Sequence, residues 1–322
     1  MDTDRLRADR LYLGVDGGGT STEFVCIDGS GRQLASARIG TTYHLEVGQA
    51  EVVARLQTGL RAICDQLTIM PDTFASVFFG LPGFGEDRLV DPQLDQACGA
   101  MLGHARYRCG NDMVCGWAGS LGGQDGINIV AGTGSIGYGE RDGHSARAGG
   151  WGEVFSDEGS AYWIAVQGLA AFTQMSDGRL EKGPLHGRIV EALSLACDLD
   201  VCQAIMGPPA LSRGQVAALA PLVSAAATDG DRAAVHILHR AGQHLADIAK
   251  ALRAELRFPA GDAVVVSWSG SILRELADVQ SAFTAALPEE AGYRFVKPMH
   301  LPSYGAALYA RKIGPVVEPG RR

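Results

Sequence analysis

The 322-residue chain has no apolar run approaching the ~20 residues needed to span a bilayer. Its start, Met1-Asp2-Thr3-Asp4-Arg5-Leu6-Arg7, lacks the apolar core of a secretory signal. Both absences point to the cytoplasm and away from a membrane. Positive charge is also short: 28 Lys and Arg stand against 36 Asp and Glu, a formal net charge of −8, which argues against a nucleic-acid partner and favours small-molecule chemistry. Gly-Lys-Ser and Gly-Lys-Thr occur nowhere, which excludes a P-loop. The seven cysteines are odd in number, and the closest pairs, Cys109 with Cys115 and Cys197 with Cys202, lack the two-residue spacing of zinc knuckles and redox pairs. Reduced core thiols are expected.

What the chain does have is glycine at strand ends. Leu11-Tyr12-Leu13-Gly14-Val15 runs into Asp16-Gly17-Gly18-Gly19-Thr20, a strand ending in a turn the size of a phosphate. Adjacent glycines let several N–H groups converge on an anion, Thr20 and Ser21 add hydroxyls, and Asp16 stands where a hydrated Mg²⁺ would go. The same residues also describe an ordinary tight hairpin. The 33.8 kDa chain exceeds the usual size of a single core, so two domains and a cleft are expected.

The first forty residues read as an antiparallel meander of strands Leu11 to Asp16, Glu23 to Ile27 and Gln33 to Ile39. Val53, Leu56, Leu60, Ile63 and Leu67 recur at steps of three and four, which predicts a helix from about Val47 to Leu67. A strand over 74–81, a helix over 92–102, a short strand over 107–109 and a helix over 113–121 complete an α/β lobe. At Ile127 the plan restarts: strand 127–131, turn Gly132-Thr133-Gly134, return strand 135–140 closing at Asp142-Gly143. The repeat suggests duplication. Helices dominate 159–256, followed by a strand over 262–268, one helix over 271–287, a strand over 293–296, a last helix over 303–313 and a fraying tail over 314–322. His236, His239 and His244 share a helix without a carboxylate or cysteine at matching spacing, so a solvated face is expected rather than a metal site.

Gly132-Thr133-Gly134-Ser135-Ile136-Gly137 matches a dinucleotide fingerprint in spacing only. That fingerprint needs a helix opening at the turn, whereas 136–140 alternates like a strand. The phosphate cradle must therefore come from hairpins, two of them clamping a triphosphate. A third element, Val264 to Ser271, takes a buried strand into a Gly-Ser turn at a helix start and suits an adenosine or its α-phosphate, although Ser269 or Ser271 could equally be a plain helix cap. Asp112, just beyond a strand end, is the candidate general base for phosphoryl transfer to a hydroxyl; helix capping is its other reading.

With these elements in place, the chain resembles the sugar kinase, actin and Hsp70 superfamily, and within it the N-acetylglucosamine kinase and BadF/BadG/BcrA/BcrD-type ATPase branch. The sharpest resemblance is the run Gly149-Gly150-Trp151-Gly152-Glu153-Val154-Phe155-Ser156-Asp157-Glu158-Gly159-Ser160-Ala161-Tyr162-Trp163. It implies an α/β fold of two actin-like, ribonuclease H-like lobes with a central nucleotide cleft: 1–122 with 302–322 as one lobe, 123–301 as the other. The resemblance assigns Gly17, Gly18, Gly19, Thr20, Thr133, Gly134, Ala227, Gly270 and Ser271 to ATP. It assigns Tyr43, Gly83, Asp112, Ser135, Gly150, Trp151, Gly152, Asp157 and Ala161 to the sugar, and Asp16 to Mg²⁺ through water. Asp157 could alternatively cap a helix and Trp151 could be core. Two departures from the family pattern stand out: Pro82 replaces a serine, and Tyr43 replaces an asparagine that contacts sugar hydroxyls. The implied activity is ATP- and Mg²⁺-dependent phosphorylation of the 6-hydroxyl of N-acetylglucosamine. Glucosamine or another hexosamine is the first alternative, and a BadF-type activator ATPase, which needs placed cysteines absent beside Ser135, is the second. A homodimer is implied without an interface.

Overall fold

The structure is a computed structural model that describes residues 10–259 and 261–314. The start at 1–9, and all of the tail predicted to fray but Gly314, lie outside the described residues. Two compact units divide the chain, one reaching Gln124 and resuming at Lys297, the other covering Asp125–Val296.

In unit 1, β1 (Leu11–Gly17), β2 (Ser21–Asp28) and β3 (Gln33–Gly40) form the antiparallel meander, and β4 (Ser76–Leu81) and β5 (Tyr107–Asn111) extend it in parallel, giving the order β3-β2-β1-β4-β5. Every residue of β4 is buried, as befits a parallel strand covered on both faces. After a single helical turn at His44–Val47, α1 (Gln49–Leu67) buries Val52, Leu56, Leu60 and Ile63, one stripe at helical spacing. Gly48, at φ 78°, separates the two, so the helix predicted from Val47 begins two residues later. Next come α2 (Asp91–Leu102) and α3 (Met113–Leu121); the helix Pro302–Ile313 returns to pack on β1, where a Cβ on Gly14 would lie 2.0 Å from the Ala307 nitrogen.

Unit 2 repeats the plan. β6 (Gly126–Ala131), β7 (Ser135–Arg141) and β8 (His144–Gly149) make a second meander, joined in parallel by β9 (Val264–Ser269) and β10 (Tyr293–Phe295) in the order β8-β7-β6-β9-β10. The strand β8 is a finding the sequence does not announce: His144-Ser-Ala-Arg-Ala-Gly carries no β-branched or large apolar residue and forms a half-exposed edge. Six helices separate β8 from β9: α4 (Ala161–Ser176), α5 (Pro184–Ala192), α6 (Asp200–Met206), α7 (Arg213–Ala217), α8 (Ala220–Thr228) and α9 (Arg232–Glu255). The last buries Ile237, Leu238, Ala241, Leu245, Ile248 and Leu252.

Three expectations need correction. The helix predicted over 271–287 is two, α10 (Ile272–Glu275) and α11 (Ala277–Ala285), because Leu276 is extended; only the second presents a packing stripe, with a Cβ on Gly242 of α9 falling 2.6 Å from Ala282 Cβ. Cys197 and Cys202 are exposed rather than core thiols, whereas Cys26, Cys64, Cys98 and Cys115 are buried. Among the three histidines of α9, His236 and His239 are exposed as expected, but His244 packs edge-on against Trp163, ring centroids 5.2 Å apart. Among the described residues no helix is long and apolar enough to cross a membrane.

Candidate functional site

In unit 1 the parallel register aligns Asp16 with Gly80, and Gly80 with Gly110, along the C-terminal edge of the sheet, where ligands of open α/β sheets collect. Asp112 follows two residues later and opens α3. Gly80 makes this possible: a Cβ there would stand 2.2 Å from Cys115 Sγ and 3.4 Å from the Asp112 Cα, so only a glycine lets the start of α3 close down on β1. The capping reading of Asp112 is not what the structure shows. Its side chain makes no capping bond, and Asn111 Oδ1 instead accepts from the Met113 N–H at 3.1 Å. The Asp112 carboxyl is pushed up to about 7 by burial, with the Glu86 charge adding to it. Asp16 is pushed up to about 8, first by burial and then by the charge of Asp112, against a hydrogen bond with Cys115 that favours its ion.

The first glycine turn lies beside these acids. The Gly18 N–H donates to Ser21 O at 2.9 Å, leaving Gly19 and Thr20 exposed at the tip, and nothing lies within 4 Å of a Cβ built on Gly19. Thr41 Oγ1 donates to Gly18 O at 2.7 Å and accepts from the Tyr43 N–H at 3.1 Å, tying the turn to the segment carrying Tyr43. A Cβ on Gly17 would fall 2.6 Å from Thr42 Oγ1 and 2.7 Å from Pro82 Cδ, so the proline at the usual serine position packs beneath the turn. Gly83, at φ 72°, lies against Tyr43 and His44, and His44 Nε2 lies 3.9 Å from Asp87 Oδ2.

In unit 2 the second turn is fastened to the start of α4. Ala161 N–H donates to Gly132 O at 2.8 Å, Tyr162 N–H to Thr133 O at 3.3 Å, and Ser135 Oγ to Glu158 O at 2.7 Å. The segment 264–271 joins the same turn, since a Cβ on Gly270, at φ 93°, would lie 2.3 Å from Ala131 O. Ser269 is no helix cap: its Oγ accepts from Asn128 Nδ2 at 3.1 Å, and Ser271 makes no capping bond either. The cap of α4 is Ser160, which accepts from Trp163 N–H, and this leaves Asp157 free of that duty. Asp157 adopts φ 58° and is buried, bonded to Arg213 Nη2 directly above Gly134. Burial raises its carboxyl and Arg213 opposes that rise. Trp151 is 69% exposed, not core, and Arg147 lies 5.3 Å over its ring. Gly150 (φ 69°) and Gly152 (φ 103°) flank it.

The structure thus brings together Asp16, Gly17, Gly18, Gly83, Tyr43 and Asp112 within unit 1, and Thr133, Gly134, Ser135, Asp157, Ala161 and Gly270 within unit 2. Ala227 is a core residue of α8, and its assignment to ATP has only the resemblance behind it. The sequence gives no notice of Thr41, Glu86, Cys115 or Arg213 as site residues, because Thr41 meets Gly18 across 23 residues and Arg213 meets Asp157 across 56.

Comparison with known proteins shows the family. A model of the BadF/BadG/BcrA/BcrD ATPase family matches residues 13–310. An N-acetylmuramic acid/N-acetylglucosamine kinase of Clostridium acetobutylicum is 28% identical over 307 residues, 94% of this chain and 98% of its own. An N-acetyl-D-glucosamine kinase of Dictyostelium discoideum is 26% identical over 313 residues, covering 93% and 97%. A solved structure from Chromobacterium violaceum, assigned provisionally as an N-acetylglucosamine kinase, superposes with a TM-score of 0.74 at 27% identity, covering 94% of this chain and 99% of that one.

Proposed function

We propose that this chain, which belongs to the BadF/BadG/BcrA/BcrD ATPase family, is an ATP-dependent amino-sugar kinase that phosphorylates the 6-hydroxyl of N-acetylglucosamine, with Asp112 as general base. The observation that carries the reading is the Asp112 carboxyl, half-buried at the sheet edge, freed from capping and held at about 7. A base in that range is ionised often enough near neutrality to act and basic enough to take a proton. In the step, the sugar O6–H gives its proton to Asp112 as the O6–P bond forms and the bond from the γ-phosphorus to its bridging oxygen breaks, releasing ADP. The turn at Gly17–Thr20 and the turn at Gly132–Ser135 supply backbone N–H groups to phosphate oxygens, and Gly270 and Ser271 border the adenosine side. Asp157, Tyr43, Gly83 and the Gly150–Gly152 segment take the sugar. Its named relatives act on N-acetylglucosamine and N-acetylmuramic acid, which supports a hexosamine as substrate.

A divalent cation suits the donor set of unit 1. Two carboxyls, Asp16 and Asp112, each hold their charge with difficulty, and hard oxygen donors of this kind match Mg²⁺, which keeps waters and phosphate oxygens in its shell. Asp16 would hold it, and its charge would neutralise phosphate oxygens as the transfer proceeds.

The test is ATP consumption with Mg²⁺ against N-acetylglucosamine, glucosamine, N-acetylmuramic acid, N-acetylmannosamine and glucose, with a control lacking sugar. Turnover strongly preferring N-acetylglucosamine is expected. Preference for glucosamine would make Tyr43 a change of specificity, and hydrolysis indifferent to sugar would replace the kinase reading with an activator ATPase.

A further inference from the structure

We propose that Arg213 is a positioning residue for sugar recognition, clamping the Asp157 carboxylate above the second glycine turn and holding it as an acceptor for sugar hydroxyls. This rests on the reading of Asp157 as the sugar-side carboxylate.

The clamp is built rather than incidental. Arg213 is the first residue of α7, and the residue before it anchors that helix by a reciprocal cap: Ser212 Oγ accepts from the Gln215 N–H at 3.3 Å, and Gln215 Oε1 accepts from the Ser212 N–H at 2.8 Å. From this fixed base the guanidinium bonds Asp157 with Nη2 and lies 3.4 Å from Glu153 Oε2 through Nε. One side chain thereby spans both ends of the Glu153–Asp157 segment. The pair sits over Gly134, where a Cβ would stand 2.3 Å from Arg213 Nη2 and 2.7 Å from Asp157 Oδ2. Gly134 has no positive φ, so the glycine is there for space, and the space is filled by this ion pair.

The groups facing the Asp157 carboxyl are few. Arg213 comes from α7, Glu153 from its own loop, and backbone N–H groups from Ser135 and Gly152. The Asp157 side chain is 4% exposed and Arg213 39% exposed, so the acid has little access to water while the arginine keeps an open face. A buried carboxylate without a cationic partner takes up a proton and turns from an acceptor into a donor. Burial and Glu153 push Asp157 that way, and Arg213 is the cation that opposes them. Removing the guanidinium therefore moves protonation of Asp157 to higher pH, and the sugar KM rises further as pH falls, on top of the acid limb that Asp112 sets in every variant that keeps it.

The experiment is sugar-dependent ATP consumption from about pH 5.5 to about pH 8.5 for the wild type, Arg213→Met, Arg213→Lys, Asp157→Asn and the double variant Arg213→Met with Asp157→Asn. Arg213→Met is expected to raise the sugar KM roughly tenfold, leave the ATP KM within about twofold, and make the sugar KM climb more steeply toward acid pH than in the wild type. Arg213→Lys should recover most of the loss, and Arg213→Met should add nothing once Asp157 is Asn. Sugar KM and pH profile unchanged in Arg213→Met would overturn the inference while leaving the kinase reading intact. So would equal rises in both KM values. Should Arg213→Met not fold, a lysine variant indistinguishable from wild type in profile and KM supports the clamp, and one with additive loss in the Asp157→Asn background overturns it. A wild type without sugar-dependent turnover overturns the kinase reading itself, and with it this one.

Discussion

Asp16 and Asp112 are neighbours at the C-terminal edge of the unit 1 sheet, close enough that the charge on Asp112 makes the charge on Asp16 harder to hold. Burial is the larger cause for each. The two acids reach one another because Gly80 lets α3 close on β1.

This pair makes ligand-free stability depend on pH in a definite direction. Both folded-state values, about 8 and about 7, lie above the ordinary 3.8, so the folded protein binds more protons than the unfolded chain between those limits. Stability from these groups is full below about pH 4 and is lost as pH rises toward 8. Asp16→Asn and Asp112→Asn should each raise the Tm of the ligand-free protein more at pH 8.5 than at pH 5, by about 2–4 °C for each kcal/mol relieved. Thermal scans at the two pH values check this, and an equal gain at both would contradict the raised values.

Removing the proposed base should separate chemistry from binding. Asp112→Asn keeps the shape of the side chain and takes away its ability to accept a proton, so kcat should fall by about 10²–10⁴ while ATP binding holds within a few fold. Turnover assays paired with nucleotide titration measure both. Unchanged kcat would remove Asp112 from the base role.

How much of this was legible in the sequence follows from where each signal originates. The strands β1, β4, β6 and β9 are mostly apolar and lead into glycine-containing turns, and Asp16, Gly18, Thr133, Asp112 and Gly270 stand at strand or helix ends that the chain itself marks. The edge strand β8 was not legible because its residues are small and polar, and its pairing with β7 is decided by the hairpin rather than by hydrophobic pattern. The break at Leu276 was hidden because 271–287 reads as continuously helix-compatible, while packing on α9 engages only its second half. Arg213 was invisible for a different reason: it lies in a helical insertion without motif, and its partner is fixed only by the fold. For Trp151 the sequence leaves the core reading open, and its exposure excludes it.

The close approach of α3 to β4 gives a packing prediction. Gly80→Ala would place its Cβ 2.2 Å from Cys115 Sγ and 3.1 Å from Val15 O, an overpacking cost of about 1–3 kcal/mol. Cys115→Ala should return part of that stability in the double variant, because it removes the sulfur that is struck. Denaturant titration of the four proteins in the cycle supplies the coupling. Strict additivity would mean the helix had shifted instead.

Thr41 links the first glycine turn, proposed for phosphate, to the Tyr43 segment, proposed for sugar, through one hydroxyl, which donates to Gly18 O at 2.7 Å and accepts from the Tyr43 N–H at 3.1 Å. Its backbone is held independently, because Arg55 Nη1 donates to Thr41 O at 2.8 Å. Thr41→Val preserves volume and β-branching but removes the bonds that this hydroxyl makes to the Gly18 carbonyl and the Tyr43 N–H, in a position only 8% exposed. Each lost bond is worth roughly 0.5–1.5 kcal/mol. Because the loss loosens the glycine turn and the Tyr43 segment together, the KM for ATP and the KM for sugar should both rise, by about three- to tenfold, with kcat changing less. Thr41→Ser, which keeps the hydroxyl, should stay near wild type. This pattern is the opposite of that for Asp112→Asn, where kcat carries the loss, and of that for Arg213→Met, where only the sugar KM moves. Steady-state kinetics with each substrate varied in turn distinguishes the three, and a Thr41→Val enzyme with only one KM raised would show that the hydroxyl serves a single side.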